Sequence, residues 1–233
     1  ALAFSNAATG TLRANDTDDL YTDFGGQPSP TLLDWYPYFS AGSFTGQWQG
    51  PWDVTVAGDY VLYAGEFLTA GGVAQQGLVR FTVPTAAANL RGPELSGADM
   101  APTIEQLGVG AVRLSWAANY DPDNADLRYE VYRDGGATPV ATLSRSSRFW
   151  DRPALHAVDG GLTTGKTYRY SITTIDPFGN STRGSAVSVT PTGTGSASLT
   201  DYDRLVLADD PESYWPLNET NGQRAIDWAG TDD

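Results

Sequence analysis

Between residues 101 and 191 short β-rich runs recur at regular intervals, each closed by a stretch of turn-forming residues. The runs are Ala111–Trp116, Tyr129–Arg133, Val140–Leu143, Tyr168–Thr174 and Ala186–Thr190. Strict alternation puts Val112, Leu114 and Trp116 on one face of the first, and Tyr168, Tyr170 and Ile172 on one face of the fourth. A period of two is that of a half-buried strand. Asp134-Gly135-Gly136 after the second run is a hairpin signal, because such turns require positive φ, which Gly adopts without strain. No long apolar stretch of helical period competes, and 26 Gly with 14 Pro suit short strands joined by turns. The expected class is all-β.

The order of these elements carries a resemblance. Leu114-Ser115-Trp116 in one strand, Tyr129-Glu130-Val131-Tyr132-Arg133-Asp134-Gly135 in the next, and Leu162-x-x-Gly165-x-x-Tyr168 resemble a fibronectin type III domain over about residues 101–191. The resemblance implies a β-sandwich. It also implies a tyrosine corner at Tyr168, a buried ring whose hydroxyl bonds a nearby backbone group. An immunoglobulin-like bacterial repeat is the alternative of related shape.

The first 84 residues hold a weak repeat, Gly42-Ser43-Phe44-Thr45-Gly46 and Gly65-Glu66-Phe67-Leu68-Thr69. Trp52–Val56, Tyr60–Ala64 and Gly77–Val83 read as a small antiparallel meander. Strand, Gly-x-Phe turn, Gly-Gly-Val and Leu-Val-Arg-Phe in that order resemble one blade of the β-propellers of bacterial surface proteins, with Leu2–Phe4 and Ala8–Leu12 similar to the closing strand of a preceding blade. The insertion from Arg13 to Tyr36 departs from the blade pattern, and a self-contained small β-domain is the alternative. Residues 85–100, rich in Ala, Gly and Pro, read as a linker, as do residues 192–198. From residue 199 to 233, Val206-Leu207-Ala208-Asp209, Tyr214-Trp215-x-Leu217-x-Glu219 and Ala225-x-Asp227 are similar to the opening of a laminin G-like, concanavalin A-type jelly roll. One blade and the first strands of a jelly roll cannot close alone. The expectation is a piece of a larger, actinobacterial-type multidomain protein.

Charge and composition narrow the function classes. A net charge of −14, from 28 acidic against 14 basic residues, disfavours nucleic acid and anionic lipid as partners. Direct membrane insertion is not expected, since no apolar run approaches the length of a span. The chain has no cysteine, which removes disulfides, thiolate metal sites and cysteine nucleophiles. His156 is the only histidine and no Gly-x-Ser-x-Gly elbow accompanies it, so a hydrolase triad finds no support.

Two clusters are candidate sites. Trp35, Tyr38, Trp48 and Trp52 lie in a stretch where aromatic rings could stack on sugar faces or a protein partner, with the Gln47 and Gln49 amides reaching hydroxyls. The alternative is a core under a long loop. Asp121, Asp123 and Asp126 offer hard oxygen ligands of the kind calcium prefers. The alternative is a turn whose Asp side chains bond their own backbone. Asn15-Asp16-Thr17-Asp18-Asp19 is a weaker version of the same pattern. Apart from calcium no cofactor is expected.

The expected function is therefore that of a non-catalytic, secreted or cell-surface segment, structural or adhesive, binding a surface glycan, a protein or further copies of itself. The alternatives are an accessory region of a secreted carbohydrate-active enzyme and a subunit of a phage or surface fibre.

Overall fold

A computed structural model of the chain describes residues 1–15, 21–108, 110–192, 198–209, 211–219 and 225–230. The protein is all-β, built from several antiparallel sheets, and divides into two compact units, Ala1–Leu90 and Arg91–Asp233.

In the first unit, β1 (Gly10–Thr11) pairs with β2 (Pro28–Ser29), and a bridge between Phe4 and Leu32 prolongs the contact. The segment 3–12 thus finds its partner inside the 13–36 insertion. Five strands follow: β3 (Pro51–Ala57), β4 (Tyr60–Gly65), β5 (Thr69–Ala70), β6 (Val73–Ala74) and β7 (Leu78–Thr82). The sheet order is β3-β4-β7, and β5 and β6 form a small hairpin between the last two. Register sets Val54, Tyr63 and Val79 side by side, then Val56, Val61 and Phe81, on one face. Tyr63, Phe67 and Ala70 are buried there, covered by Trp35 and Phe39 from a segment outside the strands. Trp35 meets Phe81 edge-on at 5.4 Å between ring centroids. The cover stops short of β3, whose residues are all exposed.

The second unit is a two-layer sandwich. Its strands are β8 (Thr103–Gly108), β9 (Ala111–Ala117), β10 (Asp126–Arg133), β11 (Ala141–Ser146), β12 (Ala154–Asp159), β13 (Tyr168–Ile175), β14 (Ser181–Arg183) and β15 (Val187–Val189). One sheet runs β12-β9-β8; the other runs β11-β10-β13, with β14 and β15 both paired to the far side of β13. The alternating apolar residues face inward from both: Val112, Leu114 and Trp116 from β9, Leu127, Tyr129 and Val131 from β10, Tyr168, Tyr170 and Ile172 from β13. Each such side chain taken out of water is worth roughly 1.5–3 kcal/mol. The turn after β10 has positive φ at Asp134 and Gly135, and the Gly136 N–H donates to the Arg133 carbonyl at 3.0 Å. Positive φ at both central positions is the signature of a type I′ turn, here the first bend of the longer 132–140 connection between β10 and β11. The Thr163 N–H donates to the Tyr168 hydroxyl at 2.9 Å.

A polar strut crosses between the layers. Asp159 on β12 accepts from Arg133 at 2.9 Å and from the Tyr170 hydroxyl at 2.7 Å, both on the opposite sheet. Burial, then the Asp159 charge, drives the Tyr170 hydroxyl far above the usual phenolic range.

The chain arrives at one pole of the sandwich and leaves at the other. At the first pole the Leu95 N–H donates to Asn119 at 2.9 Å, Glu94 N–H to the Tyr120 carbonyl at 3.0 Å, and Asn180 to the Arg91 carbonyl at 2.8 Å. Residues 91–100, expected as linker, are in this way part of the sandwich, with Met100 buried in its core. Gly97 bridges Gly184, and a Cβ on Gly184 would stand 2.1 Å from the Met100 carbonyl oxygen, so the crossing admits only glycine. At the second pole the Thr192 N–H donates to Gln106 at 2.8 Å.

Residues 199–230 fold back on the second pole without contributing a sheet strand among the described residues. Helix α1 (Asp201–Ala208) starts at a capping box in which Thr200 and Asp203 satisfy each other's backbone N–H. Trp228 is fully buried against Leu107 and Ala111, with Val158, Leu199, Leu207 and Tyr214 around it. The Arg113 guanidinium donates to the Gly230 carbonyl.

Candidate functional site

In the first unit one buried carboxylate organises a loop. Glu66 accepts from the Thr45 N–H at 2.9 Å, the Thr45 hydroxyl at 3.0 Å and the Gln49 N–H at 2.9 Å. The Gly42 N–H donates to the Gln49 carbonyl at 2.7 Å and closes the loop at its neck. There the chain passes so near the Glu66 carbonyl that a Cβ on Gly42 would lie 1.7 Å from its oxygen. The Thr45 N–H foremost, with the Gln49 N–H and Thr45 hydroxyl, outweighs burial and holds the Glu66 carboxyl below the usual range.

What this brace holds up is aromatic. Phe44 is 93% exposed and Trp48 72%. Trp48 has φ 55°, a left-handed backbone that costs a non-glycine residue about 1–2 kcal/mol and persists only where its surroundings enforce it. The Gln49 side-chain amide donates to the Gln47 carbonyl oxygen at 2.9 Å, fixing the two amides beside Trp48. The loop runs directly into β3, where Trp52 is 56% exposed at a register irregularity between Pro51 and Asp53.

Of the four aromatic residues expected to bind a ligand, Trp48 and Trp52 are exposed on the loop and the strand it feeds, and Tyr38 is half exposed. Trp35 is partly buried, packed against the core of this unit. The neighbouring Tyr36 is buried. Phe44 and Glu66 are not among the expected site residues, although both belong to the internal repeat. Its two copies have opposite fates. Phe67 is fully buried, Phe44 stands in water, and the glutamate of the second copy braces the loop of the first.

The acidic loop of the second unit is arranged otherwise. Asp121, buried, accepts from the Asp123 N–H at 3.1 Å, the Asn124 amide donates to Asp123 at 2.7 Å, and Asp126 accepts from the Ser146 hydroxyl. Burial foremost, then the nearby Asp123, pushes the Asp121 carboxyl up to about 7. Among the described residues no three His, Asp or Glu side chains converge as a metal-ligand set. Residues 16–19 of the Asn15–Asp19 pattern lie outside the described residues. His156 is half-buried on β12, opposite Ser115 of β9.

A loop whose backbone is braced by Glu66 and which presents two exposed rings is suited to binding. The braced backbone has little loop entropy left to lose, and the rings supply apolar area now in water. No family model matches the sequence, and no curated protein matches it.

Proposed function

We propose that the chain is a non-catalytic segment of an extracellular modular protein, in which the sandwich of residues 91–192 is a spacer of the fibronectin type III kind. The supporting observation is the route of the chain, held by hydrogen bonds at one pole where it arrives and at the other where it leaves. Strand β13 alone, with 8 residues, spans about 26 Å of that axis. A body traversed end to end separates whatever precedes it from whatever follows.

The absence of cysteine makes a direct test simple. Leu90→Cys and Thr192→Cys create two unique handles for force spectroscopy. The expected record is one cooperative unfolding event releasing roughly 300 Å of contour length. Extension through many small steps at low force would overturn the spacer reading.

A second reading is favoured by the Phe44 and Trp48 exposures. The braced loop is the contact surface for a cell-surface glycan or protein, rings stacking on an apolar face and the Gln47–Gln49 pair meeting hydroxyls.

A further inference from the structure

Strand β3 has the residue pattern of a half-buried strand and is buried nowhere. Trp52, Val54 and Val56 alternate with Asp53 and Thr55, yet all 7 residues are exposed, Val54 to 53% and Val56 to 68%. The strand pairs with β4 on one side, and among the described residues the sheet ends there. A bare row of edge N–H and C=O groups is a template for another strand, so native edges are commonly short, charged or covered. This one is apolar at alternate residues, and its only charge is Asp53.

The register identifies the outward backbone groups. Gly58, with positive φ, and Asp59 join Ala57 to Tyr60 in a two-residue hairpin. The closing pair of such a hairpin exchanges hydrogen bonds, and bonded and non-bonded pairs alternate from there. Ala57, Thr55 and Asp53 therefore bond to β4, while Val54 and Val56 turn their N–H and C=O groups to the free edge. The Val54 N–H accordingly donates to the Asp53 side chain at 2.9 Å. A partner's carbonyl can take the place of that carboxylate.

Charge selects the occupant. The unit Ala1–Leu90 holds eight acidic residues against two arginines, and Asp53 and Asp59 stand six positions apart at the two ends of the free edge. A second copy would bring the same two carboxylates to the edge, and residues 51–59 contain no cation to meet them. An extended segment with Lys or Arg toward its ends complements them.

We propose that the free edge of β3 binds an extended basic polypeptide segment as an added strand. The backbone of the segment bonds the outward groups of Val54 and Val56, and its alternate apolar side chains lie beside these two valines on the face shared with Val61 and Tyr63. Once the partner's carbonyl accepts the Val54 N–H, the Asp53 carboxylate is released to pair with the partner's cation. In the free chain the same carboxylate guards the edge.

The test uses the full chain and two end-capped peptides, Lys-Val-Thr-Val-Thr-Val-Lys and its counterpart with Glu at both ends, read by amide chemical shifts and hydrogen exchange. The lysine peptide is expected to shift the signals of residues 52–57 saturably and to slow exchange at Val54 and Val56. The glutamate peptide is expected to bind about tenfold more weakly, with the gap narrowing as salt is raised. Val56→Pro removes an outward N–H and no bond to β4, so it is expected to weaken the lysine peptide about tenfold in a chain that still folds. Asp53→Asn keeps an acceptor for the Val54 N–H without the charge, and is expected to shrink the gap between the peptides about threefold. No saturable shift, shifts centred elsewhere, equal binding of the two peptides, or unchanged affinity in Val56→Pro would overturn the proposal. Dimerisation of the chain alone that protects the same amides would overturn it too, because a second copy would then be the occupant.

Discussion

Asp121 and Glu66 are both nearly removed from solvent, and their neighbours treat them differently. Glu66 receives two backbone N–H groups and a hydroxyl, all aimed at a charged carboxylate. Asp121 accepts the Asp123 N–H, but burial foremost, and then the Asp123 carboxyl beside it, favours the neutral form up to about pH 7. Unfolding returns Asp121 to its ordinary value of 3.8. Between these two values the folded state holds a proton that the unfolded state has lost, and stability falls as pH rises through the window. Asp121→Asn keeps the neutral shape and removes the titration. The variant's melting temperature relative to the parent is therefore expected to climb from about pH 4 to about pH 7 and level off above, as read by calorimetry at each pH. A difference that stays constant from pH 4 to pH 8 would show that Asp121 ionises freely in the fold.

At the scale of elements, the Glu66-braced loop makes two substitutions separable. Trp48→Ala removes an exposed ring and relieves none of the brace, so it is expected to lower binding on a glycan array with the melting temperature nearly unchanged. Glu66→Gln replaces charged acceptors by one amide oxygen, and it is expected to lower both binding and the melting temperature, because the Thr45 and Gln49 N–H groups lose a charge-assisted partner. Equal glycan binding by the parent and both variants would remove the loop from the function. Much of this architecture is legible in the sequence, and the exceptions have physical causes. Strands β9, β10 and β13 announce themselves because each buries a full alternating row. Strand β12 does not, since only Leu155 and Asp159 are buried and the second is polar. Strand β8 is hidden in the same way by Glu105 and Gln106, which face water between its apolar residues. The site is less legible still. Trp35 and Trp48 are alike as letters, and what half-buries one and exposes the other is the placing of a distant glutamate and the reach of a cover segment.

Each unit of the whole molecule has its own apolar core, Tyr63 and Phe67 in one, the inward rows of the sandwich in the other. A chain beginning at Arg91 is accordingly expected to melt cooperatively, within about 5 °C of the sandwich transition of the full chain. A broad, non-cooperative transition would show that the first ninety residues are required for the second fold. The role of residues 199–230 is the part of the molecular plan that the sequence conceals. Their motif resembles the start of another sheet, whereas the described residues use Trp228, Leu207 and a capped helix to cover Leu107 and Ala111. A motif is a property of one segment, and a cover is a property of two. The pole-to-pole route of the chain has a mechanical meaning as well. Strand β8 runs away from the pole at which the chain arrives, and β15 runs toward the pole at which it leaves. Tension on the two ends therefore pulls each strand along its own axis, in shear against β9 and β13. The ladder bonds share the load and must fail together, where a strand peeled from one end would give them up singly.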